Sequence, residues 1–288
     1  MKTFRIAVFV AVIAASVLSS AQHGAVRPLD LAIDQIMQAR SAAGDFNGAV
    51  LVARQGHTLY ERAFGLANLE WQIPNDLQTK FEIGSMTKQF TALLILQFVN
   101  EGRVHLDGHI SDYLPYYRSA IGNRVTVTEL LSHTSGIPNF LSNPGFLEGP
   151  ASRTSYTVRD FVEKYCSRDL HFEPGTKFEY SNSGYFLLGA ILEQVSGESY
   201  EQLLKERIFG PLSMKNSGYT HFETVLPHRA AGYERSELAC GMPATTTCLS
   251  LFAAGALYST VGDLIIVGSG ALWGAPTSDT TSRSFVQT

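Results

Sequence analysis

A serine and a lysine that stand one helical turn apart are the clearest candidates for chemistry in this chain. Ser85 and Lys88 open an apolar run that continues to about residue 100. Side chains three residues apart share a face of a helix, and a partly desolvated amine can lose its proton and then accept that of a neighbouring hydroxyl. The pair predicts a nucleophilic serine with a lysine base. The alternative is a plain helix cap with a solvated lysine, since so short a motif also occurs by chance.

A tyrosine and an asparagine form a second candidate group. Tyr180 and Asn182 lie in a turn-rich segment directly before another apolar, helix-like run. A phenol can transfer protons, and a carboxamide can hold a substrate amide through hydrogen bonds. The simpler alternative is a turn in which Ser181, Asn182 and Gly184 only cap the helix.

The surrounding pattern alternates between strand and helix signals. Two β-rich runs, 48–53 and 58–64, predict a hairpin. Apolar spacing predicts helices over 29–43, 85–100, 183–195 and 200–208, and capping-box spacing at Thr126/Glu129 and Thr157/Asp160 predicts two more helix starts. One hairpin needs further strands, for which the remaining candidates are 229–233, 257–259 and 264–267. We expect a mixed layer with a helical part beside it.

Taken together and in this order, the two groups resemble the serine β-lactamase and penicillin-binding protein family. The most similar branch is that of class C β-lactamases, D-alanyl-D-alanine carboxypeptidases and related esterases. Ser85-Met-Thr-Lys88 matches the S-x-x-K motif of the family, and Tyr180-Ser-Asn182 matches its Y-x-N motif. Residues 131–137, 185–189 and 254–263 resemble stretches that often flank these motifs, so the resemblance covers residues 29 to 263.

The resemblance implies a fold, a site and a reaction. The fold is β-lactamase/transpeptidase-like, α/β plus all-α, with an antiparallel sheet flanked by helices and a helical domain beside it. Ser85 would attack a carbonyl to form an acyl-enzyme, Lys88 would accept or steer its proton, Tyr180 would act as acid and base, and Asn182 would bind the substrate side chain. No metal or organic cofactor is implied. A β-lactam, a D-Ala-D-Ala peptide or an ester would suit this serine hydrolase chemistry equally well.

The sequence departs from the family at its third motif. That motif is Lys or His, any residue, then Gly, on a late strand that supplies one of two oxyanion-hole N–H groups, and the chain contains neither Lys-x-Gly nor His-x-Gly. Losing one such donor costs about 100- to 1000-fold in turnover. We therefore expect a domain over 28–266 whose late strands are missing, with an aberrant or disordered tail over 267–288, as a disrupted reading frame near Leu264 would produce. The alternative function is a catalytically defective fragment or a module that binds peptidoglycan-like ligands without turnover.

Composition indicates the general class of the protein, and the N-terminal segment indicates where it is located. The chain has 288 residues, 45% of them hydrophobic and 17% charged, which suits a globular protein. Lys2 and Arg5 precede an apolar run and then small residues, so we expect a signal peptide over 1–21 and export to the periplasm or medium. An uncleaved anchor is the alternative, although the run is shorter than the roughly 20 residues that span a bilayer.

The charge balance of the exported chain bears on its partners. Removal of residues 1–21 leaves 20 basic and 26 acidic side chains, a net charge of −6, with no basic cluster for nucleic acid. We expect a small-molecule or peptidoglycan-like substrate and no stable membrane span after signal removal. The oligomeric state stays open.

The cysteines and two histidine groups have weaker signals. Cys166, Cys240 and Cys248 are too few for a disulfide scaffold; the last two either pair across a short loop or stay free thiols. His105 and His109 have the i, i+4 spacing of metal ligands, but Asp-Gly between them predicts a solvated loop. His133 is expected to be a hydrogen-bonding residue at a helix end or loop rather than a base.

Overall fold

The computed structural model describes residues 28–54, 57–144, 146, 149–221, 223–235, 240–241 and 251–268. Contacts divide the chain into two compact units, residues 1–47 and 48–288. The described part of the first unit contains helix α1, Pro28–Ala42, within one residue of the prediction. Asp30 in its first turn and Arg40 in its last turn suit the helix dipole. The chain leaves the helix at Gly44, whose φ of 72° is left-handed.

The second unit begins with the predicted hairpin. Strands β1, Gly48–Arg54, and β2, His57–Phe64, pair antiparallel with Gly48 opposite Phe64. Two short strands follow, β3 at Leu66–Asn68 and β4 at Ile73–Pro74, and pair with each other. Neither strand is long enough to show a clear alternating pattern, and the sequence did not indicate them.

Helices dominate the middle of the second unit. Their bounds are α2 Thr87–Asn100, α3 Ile110–Tyr113, α4 Ser119–Gly122, α5 Val127–Leu131, α6 Val158–Phe161, α7 Asn182–Ser196 and α8 Tyr200–Leu204. Single 3₁₀ turns lie at Gly84–Met86, Phe140–Ser142 and Pro150–Arg153, and π turns extend α6 over Val162–Cys166 and α8 over Lys205–Phe209.

The predicted helix starts are confirmed by their caps. Thr126 Oγ1 accepts a hydrogen bond from Glu129 N while the Glu129 carboxylate accepts one from Thr126 N. Thr157 Oγ1 accepts from Asp160 N in the same way at α6. Each cap satisfies backbone donors that a helix start leaves free.

A three-stranded sheet connects the start of α2 to the late part of the chain. Strands β5, Phe81–Glu82, and β6, Gly218–Tyr219, pair on either side of β9, Leu257–Ser259, which the sequence predicted. Strands β7, Glu234–Arg235, and β8, Cys240–Gly241, form a separate pair. The described sheets are therefore small and antiparallel, within the mixed α/β architecture that was expected.

Two predicted strands are wrong. Residues 264–267 belong to a helix, α9, Val261–Gly268, because Thr260 caps it through Oγ1 to Asp263 N at 3.3 Å. The Thr-x-x-Asp spacing was available in the sequence, but a short apolar run is ambiguous between strand and helix. Residues 229–233 form no regular strand; Arg229 makes an isolated parallel bridge with Lys80, and β7 begins only at Glu234.

The core of the second unit lies where α2 and α7 pack together. Phe90, Leu94 and Phe98 of α2 repeat every four residues and are fully buried. Leu187 and Ile191 of α7 join the same cluster. The two helices that begin at the motif residues thus pack through their apolar faces.

Several predictions fall on residues outside this description. They are the signal peptide over 1–21, the tail beyond 268, and pairing of Cys240 with Cys248, of which only the backbone at 240 is described. Cys166 is a free, buried thiol. Within the described ranges, no helix combines the length and apolarity that crossing a membrane requires.

Candidate active site

The chain delivers Ser85 to the start of α2 through a strand and a tight turn. Ile83 N donates to Leu257 O at 2.9 Å, which extends the pairing of β5 with β9. Gly84 then adopts a φ of +51°, a conformation that strains any residue with a Cβ. Ser85 follows as an exposed residue in the 3₁₀ turn that leads into α2. Its hydroxyl is therefore presented to solvent at a helix N-terminus, where the dipole favours negative charge.

The side chains of Ser85, Lys88 and Tyr180 meet at one point. Ser85 Oγ lies 2.6 Å from Tyr180 Oη and accepts a hydrogen bond from Lys88 Nζ at 3.2 Å. Tyr180 reaches this point from a segment 95 residues along the chain and is 40% exposed, whereas Lys88 is only 7% exposed. The Ser85 hydroxyl thus lies between the buried amine of Lys88 and the more exposed phenol of Tyr180.

Burial sets the electrostatics of Lys88. The pKa of the Lys88 amine is lowered from its usual value, chiefly because burial penalises the charged form, while contacts with Tyr180 act in the opposite direction. Its Nζ also lies 4.8 Å from the ring centroid of Tyr180 and 5.5 Å from that of Tyr185. A lowered pKa increases the fraction of neutral amine near neutral pH, and the neutral amine is the form that can accept a proton.

Asn182, the first residue of α7, is buried beside the amine. Its Oδ1 accepts a hydrogen bond from Lys88 Nζ at 2.8 Å, and its Nδ2 donates to Asn139 Oδ1 at 3.2 Å. Because Asn139 Oδ1 can only accept, it fixes the amide with Oδ1 towards the lysine. The predicted role of Asn182 in binding a substrate side chain stays a prediction; in this structure its amide bonds to Lys88 and Asn139.

A late segment completes the surroundings of the lysine. The carbonyl of Ala254, in the 3₁₀ turn Phe252–Ala254, accepts from Lys88 Nζ at 2.7 Å. Two threonines of α2 hold this segment, since Thr91 Oγ1 donates to Ala253 O at 2.7 Å and Thr87 Oγ1 accepts from Leu257 N at 3.2 Å. The three acceptors around Nζ therefore come from the 3₁₀ turn before α2, from α7 and from the segment before β9.

His133 lies behind Tyr180 rather than at the nucleophile. Its ring centroid is 4.6 Å from that of Tyr180, and its Nδ1 accepts a hydrogen bond from Ser181 N at 3.2 Å. This agrees with its expected role as a hydrogen-bonding residue at a helix end. His109 also lies at a helix start, where its N–H donates to Asp112 Oδ2 at 2.7 Å. In the part of the chain that the structure describes, no three His, Cys, Asp or Glu side chains cluster as metal ligands would.

The structure thus brings together all four residues that the motifs indicated. It adds the Ala254 carbonyl, which accepts from the lysine, and Asn139, which holds the Asn182 amide; sequence spacing could not indicate either, because each reaches the site through the tertiary fold. Ala254 begins one of the stretches noted only as resembling family flanks, and Asn139 lies just outside another, 131–137. The arrangement can bring an alcohol, a proton acceptor and a proton donor to a single carbonyl substrate.

The chain belongs to the beta-lactamase family, whose model matches residues 33–285. Among curated relatives, Protein flp of Staphylococcus aureus is 31% identical over 206 residues, 70% of this chain and 41% of the relative. The chain therefore spans about two fifths of the length of that relative. The family assignment and the predicted resemblance agree.

Solved structures give the same fold. A penicillin binding protein from Bacillus halodurans superimposes with a TM-score of 0.70 at 27% identity, covering 82% of this chain and 72% of the other. The D-amino acid amidase from Ochrobactrum anthropi, complexed with D-phenylalanine, superimposes with a TM-score of 0.73 at 27% identity, covering 85% and 72%. The fold is thus β-lactamase/transpeptidase-like, the architecture of a serine hydrolase family.

Proposed function

We propose that this protein is a serine hydrolase that forms an acyl-enzyme at Ser85 with a small amide, lactam or ester. The observation that carries the proposal is the position of Ser85 Oγ, within hydrogen-bonding distance of both Lys88 Nζ at 3.2 Å and Tyr180 Oη at 2.6 Å. A nucleophile with a base in reach is the defining geometry of covalent catalysis.

The proposed reaction has two balanced steps. Ser85 Oγ bonds to the substrate carbonyl carbon as its proton passes to the neutral amine of Lys88, and the bond to the leaving amine or alkoxide breaks as Tyr180 donates a proton to it. Water then attacks the acyl carbon as its proton passes to the Tyr180 phenolate, the bond from that carbon to Ser85 Oγ breaks, and the Lys88 ammonium returns a proton to Ser85 Oγ as the acid leaves. The serine and both proton carriers return to their starting forms.

Stabilisation of the oxyanion in this family draws on the helix start and on the third motif. The helix dipole at the start of α2 favours negative charge near Ser85. The strand motif that supplies a second N–H donor in the family is absent from the sequence, and one donor is worth about 100- to 1000-fold in turnover.

The site supports a substrate with a reactive carbonyl group and does not select among the classes that have one. The named relatives act on or bind different compounds: one is a penicillin binding protein and one a D-amino acid amidase. The same nucleophile suits a lactam, a D-Ala-D-Ala peptide and an ester. We propose that a strained or activated carbonyl reacts first, because it needs least help from the oxyanion hole.

A labelling experiment tests the proposal. The purified protein is incubated with a fluorescent penicillin and, separately, with an activated fluorescent ester, and covalent adducts are located by mass spectrometry. We expect an adduct at Ser85 that is lost in Ser85→Ala. Ser155→Ala, which removes an exposed serine, is the matched control and should label like the parent.

The result also separates the two candidate functions. Folding is checked first by circular dichroism and a cooperative thermal transition. A folded protein that binds a penicillin reversibly but is never acylated would be a binding module without turnover, and the hydrolase proposal would fail. That second function is favoured by the missing Lys/His-x-Gly motif alone.

We also propose export after removal of residues 1–21, on the pattern of Lys2, Arg5 and the apolar run that follows them. Expression of the full chain in a bacterium and mass spectrometry of the product tests this. A mature N-terminus at residue 22 in the exported fraction is expected, and retention of the intact N-terminus in the cytosol would contradict it.

A further inference from the structure

His133 occupies a strained and specific position directly behind the phenol of the site. It follows α5 with a φ of 58°, in the left-handed region that few non-glycine residues adopt. Its ring packs against Tyr180, with centroids 4.6 Å apart and planes at 34°, and against Tyr185, with centroids 5.1 Å apart and planes at 37°. A conformation of this kind persists only where its surroundings hold it.

His133 accepts two hydrogen bonds, one from each residue that flanks Tyr180 in the chain. Glu179 N donates to the His133 carbonyl at 2.9 Å, and Ser181 N donates to His133 Nδ1 at 3.2 Å. The residues on both sides of Tyr180 are thus tied to the same histidine. Since the ring also packs on the phenol, His133 controls both the backbone and the side chain of Tyr180.

The bond to Ser181 exists only for a neutral imidazole. Nδ1 must carry a lone pair to accept from Ser181 N, so the proton of the neutral ring is on Nε2. In the imidazolium both nitrogens are donors, and Nδ1–H would then face the N–H of a residue that is only 1% exposed. Protonation therefore replaces an attractive contact with a repulsive one.

The neighbouring charges reinforce this effect. Tyr180 and Tyr185 contact the ring, and Lys88 acts on it through its charge. The carboxylate of Glu179, the residue before Tyr180, lies 2.7 Å from His171 Nδ1. Burial, and then the charge of Lys88, lower the pKa of His133 from its usual value near 6.5. The neutral ring is thus the stable form at neutral pH, and it is lost under acid conditions.

We propose that His133 is a positioning residue that keeps Tyr180 on Ser85 only while its imidazole is neutral, so that acid switches the site off through this one side chain. The inference rests on the proposed function for its activity readout. It requires no chemistry at His133 itself, because the ring acts through Tyr180.

His133→Asn tests the effect of protonation separately from the effect of the hydrogen bond. Asparagine tolerates left-handed φ values, and its Oδ1 is the same number of bonds from Cα as histidine Nδ1, so it can still accept from Ser181 N without titrating. His228→Asn is the matched control, because His228 is exposed and also has a left-handed φ, of 62°.

The experiment measures the rate of labelling by a fluorescent penicillin from about pH 8 down to about pH 4.5. If Lys88 is the base, every protein loses about tenfold per pH unit below the lysine pKa. Below the pKa of His133, we expect the labelling rates of the parent and of His228→Asn to fall by up to a further tenfold per pH unit. The labelling rate of His133→Asn should not show this second fall. Equal slopes in all three proteins would overturn the proposal.

A second readout does not depend on activity. Because a lowered histidine pKa makes the unfolded state bind more protons, the parent should lose thermal stability relative to His133→Asn as pH falls below about 6.5. His228→Asn should follow the parent. If the parent is never labelled, the proposed function fails, but the stability comparison still tests the inference about His133. Parallel curves of Tm against pH for the parent and His133→Asn would refute that inference.

A further measurement covers the case in which His133→Asn does not fold. NMR titration of the histidine rings of the parent should then reveal one imidazole whose midpoint coincides with the steepening of the labelling profile. If no ring titrates there, acid control through His133 is wrong.

Discussion

The amine of Lys88 donates a hydrogen bond of 2.7 Å to the carbonyl oxygen of Ala254, a residue 166 positions further along the chain. This bond connects the proposed base to the 3₁₀ turn Phe252–Ala254, which packs on helix α7. The late segment is therefore part of the lysine's environment and not only a support for the sheet. Its packing should control both stability and the position of the amine.

Gly189 of α7 tests this packing. A Cβ at position 189 would overlap the Cβ of Ala253 and lie 2.5 Å from Phe252 Cε1. Gly189→Ala should therefore displace the turn and lower the free energy of unfolding by about 1–3 kcal/mol, despite the better helix propensity of alanine. Urea unfolding measures the change, and labelling of Ser85 should slow as the Ala254 carbonyl moves.

Gly184 provides the control in the same helix. A Cβ there would meet atoms of Leu130 at 3.5 Å and beyond, which are ordinary contacts. Gly184→Ala should be neutral or stabilise the protein by up to about 1 kcal/mol. Equal effects of the two substitutions would mean that the turn does not depend on close packing against α7.

Replacement of Lys88 tests its role as the base. Lys88→Met should lower the labelling rate by roughly 100- to 10,000-fold, the usual contribution of a general base. In the parent, the rate should rise with pH and level off below 10.5, because burial lowers the pKa of this amine. Lys177→Met, at an exposed position of the Tyr180 segment, is the control and should retain both rate and profile.

The same lysine should affect stability with a defined sign. Between the lowered pKa of the folded state and the usual 10.5 of the unfolded chain, the unfolded state binds more protons. The unfolding free energy of the parent should therefore rise with pH relative to Lys88→Met across that window. A falling difference would show that Lys88 is not desolvated in the folded protein.

Tyr180→Phe tests the phenol while it keeps the ring. The substitution removes the Oη that lies 2.6 Å from Ser85 Oγ but leaves the packing against His133. Steady-state hydrolysis of an activated ester should fall roughly 100- to 10,000-fold with little change in Tm. A variant that turns over at the parent rate would exclude Tyr180 as the proton carrier.

Tyr185→Phe is the matched control for that change. Its hydroxyl donates to Leu131 O at 3.1 Å and not to the nucleophile. Loss of this bond should lower stability by about 0.5–1.5 kcal/mol and leave hydrolysis within a few-fold of the parent.

Local spacing predicted the site better than it predicted the sheet. Ser85 and Lys88 are three residues apart on consecutive helical turns, so their proximity follows from helix geometry. The caps at Thr126 and Thr157 are equally local and were correct. Strands β3 to β6 are only two or three residues long, and none was predicted. β3 and β4 pair with each other, whereas β5 and β6 are held by β9, which is distant in sequence.

The errors have a related cause. The apolar run at 264–267 suits a strand and a helix, and only the Thr260 cap decides between them. The Ala254 carbonyl reaches Lys88, and Asn139 reaches Asn182, through packing of the second unit, so no motif indicated them. The catalytic roles assigned from the motifs remain predictions that the substitutions above address.

Asn182→Asp tests how the environment of Lys88 sets its charge. The substitution places a carboxylate where the Asn182 Oδ1 now accepts from Nζ at 2.8 Å. An opposite charge at this distance should raise the lysine pKa by about 1–3 units, so the neutral amine becomes rarer and labelling at neutral pH slows by roughly 10- to 1000-fold. The rate should recover at higher pH, which a lost substrate contact would not produce. Asn123→Asp adds the same charge at an exposed position and should leave the profile unchanged. An unshifted pH midpoint in Asn182→Asp would show that Lys88 is not the group whose deprotonation starts the reaction.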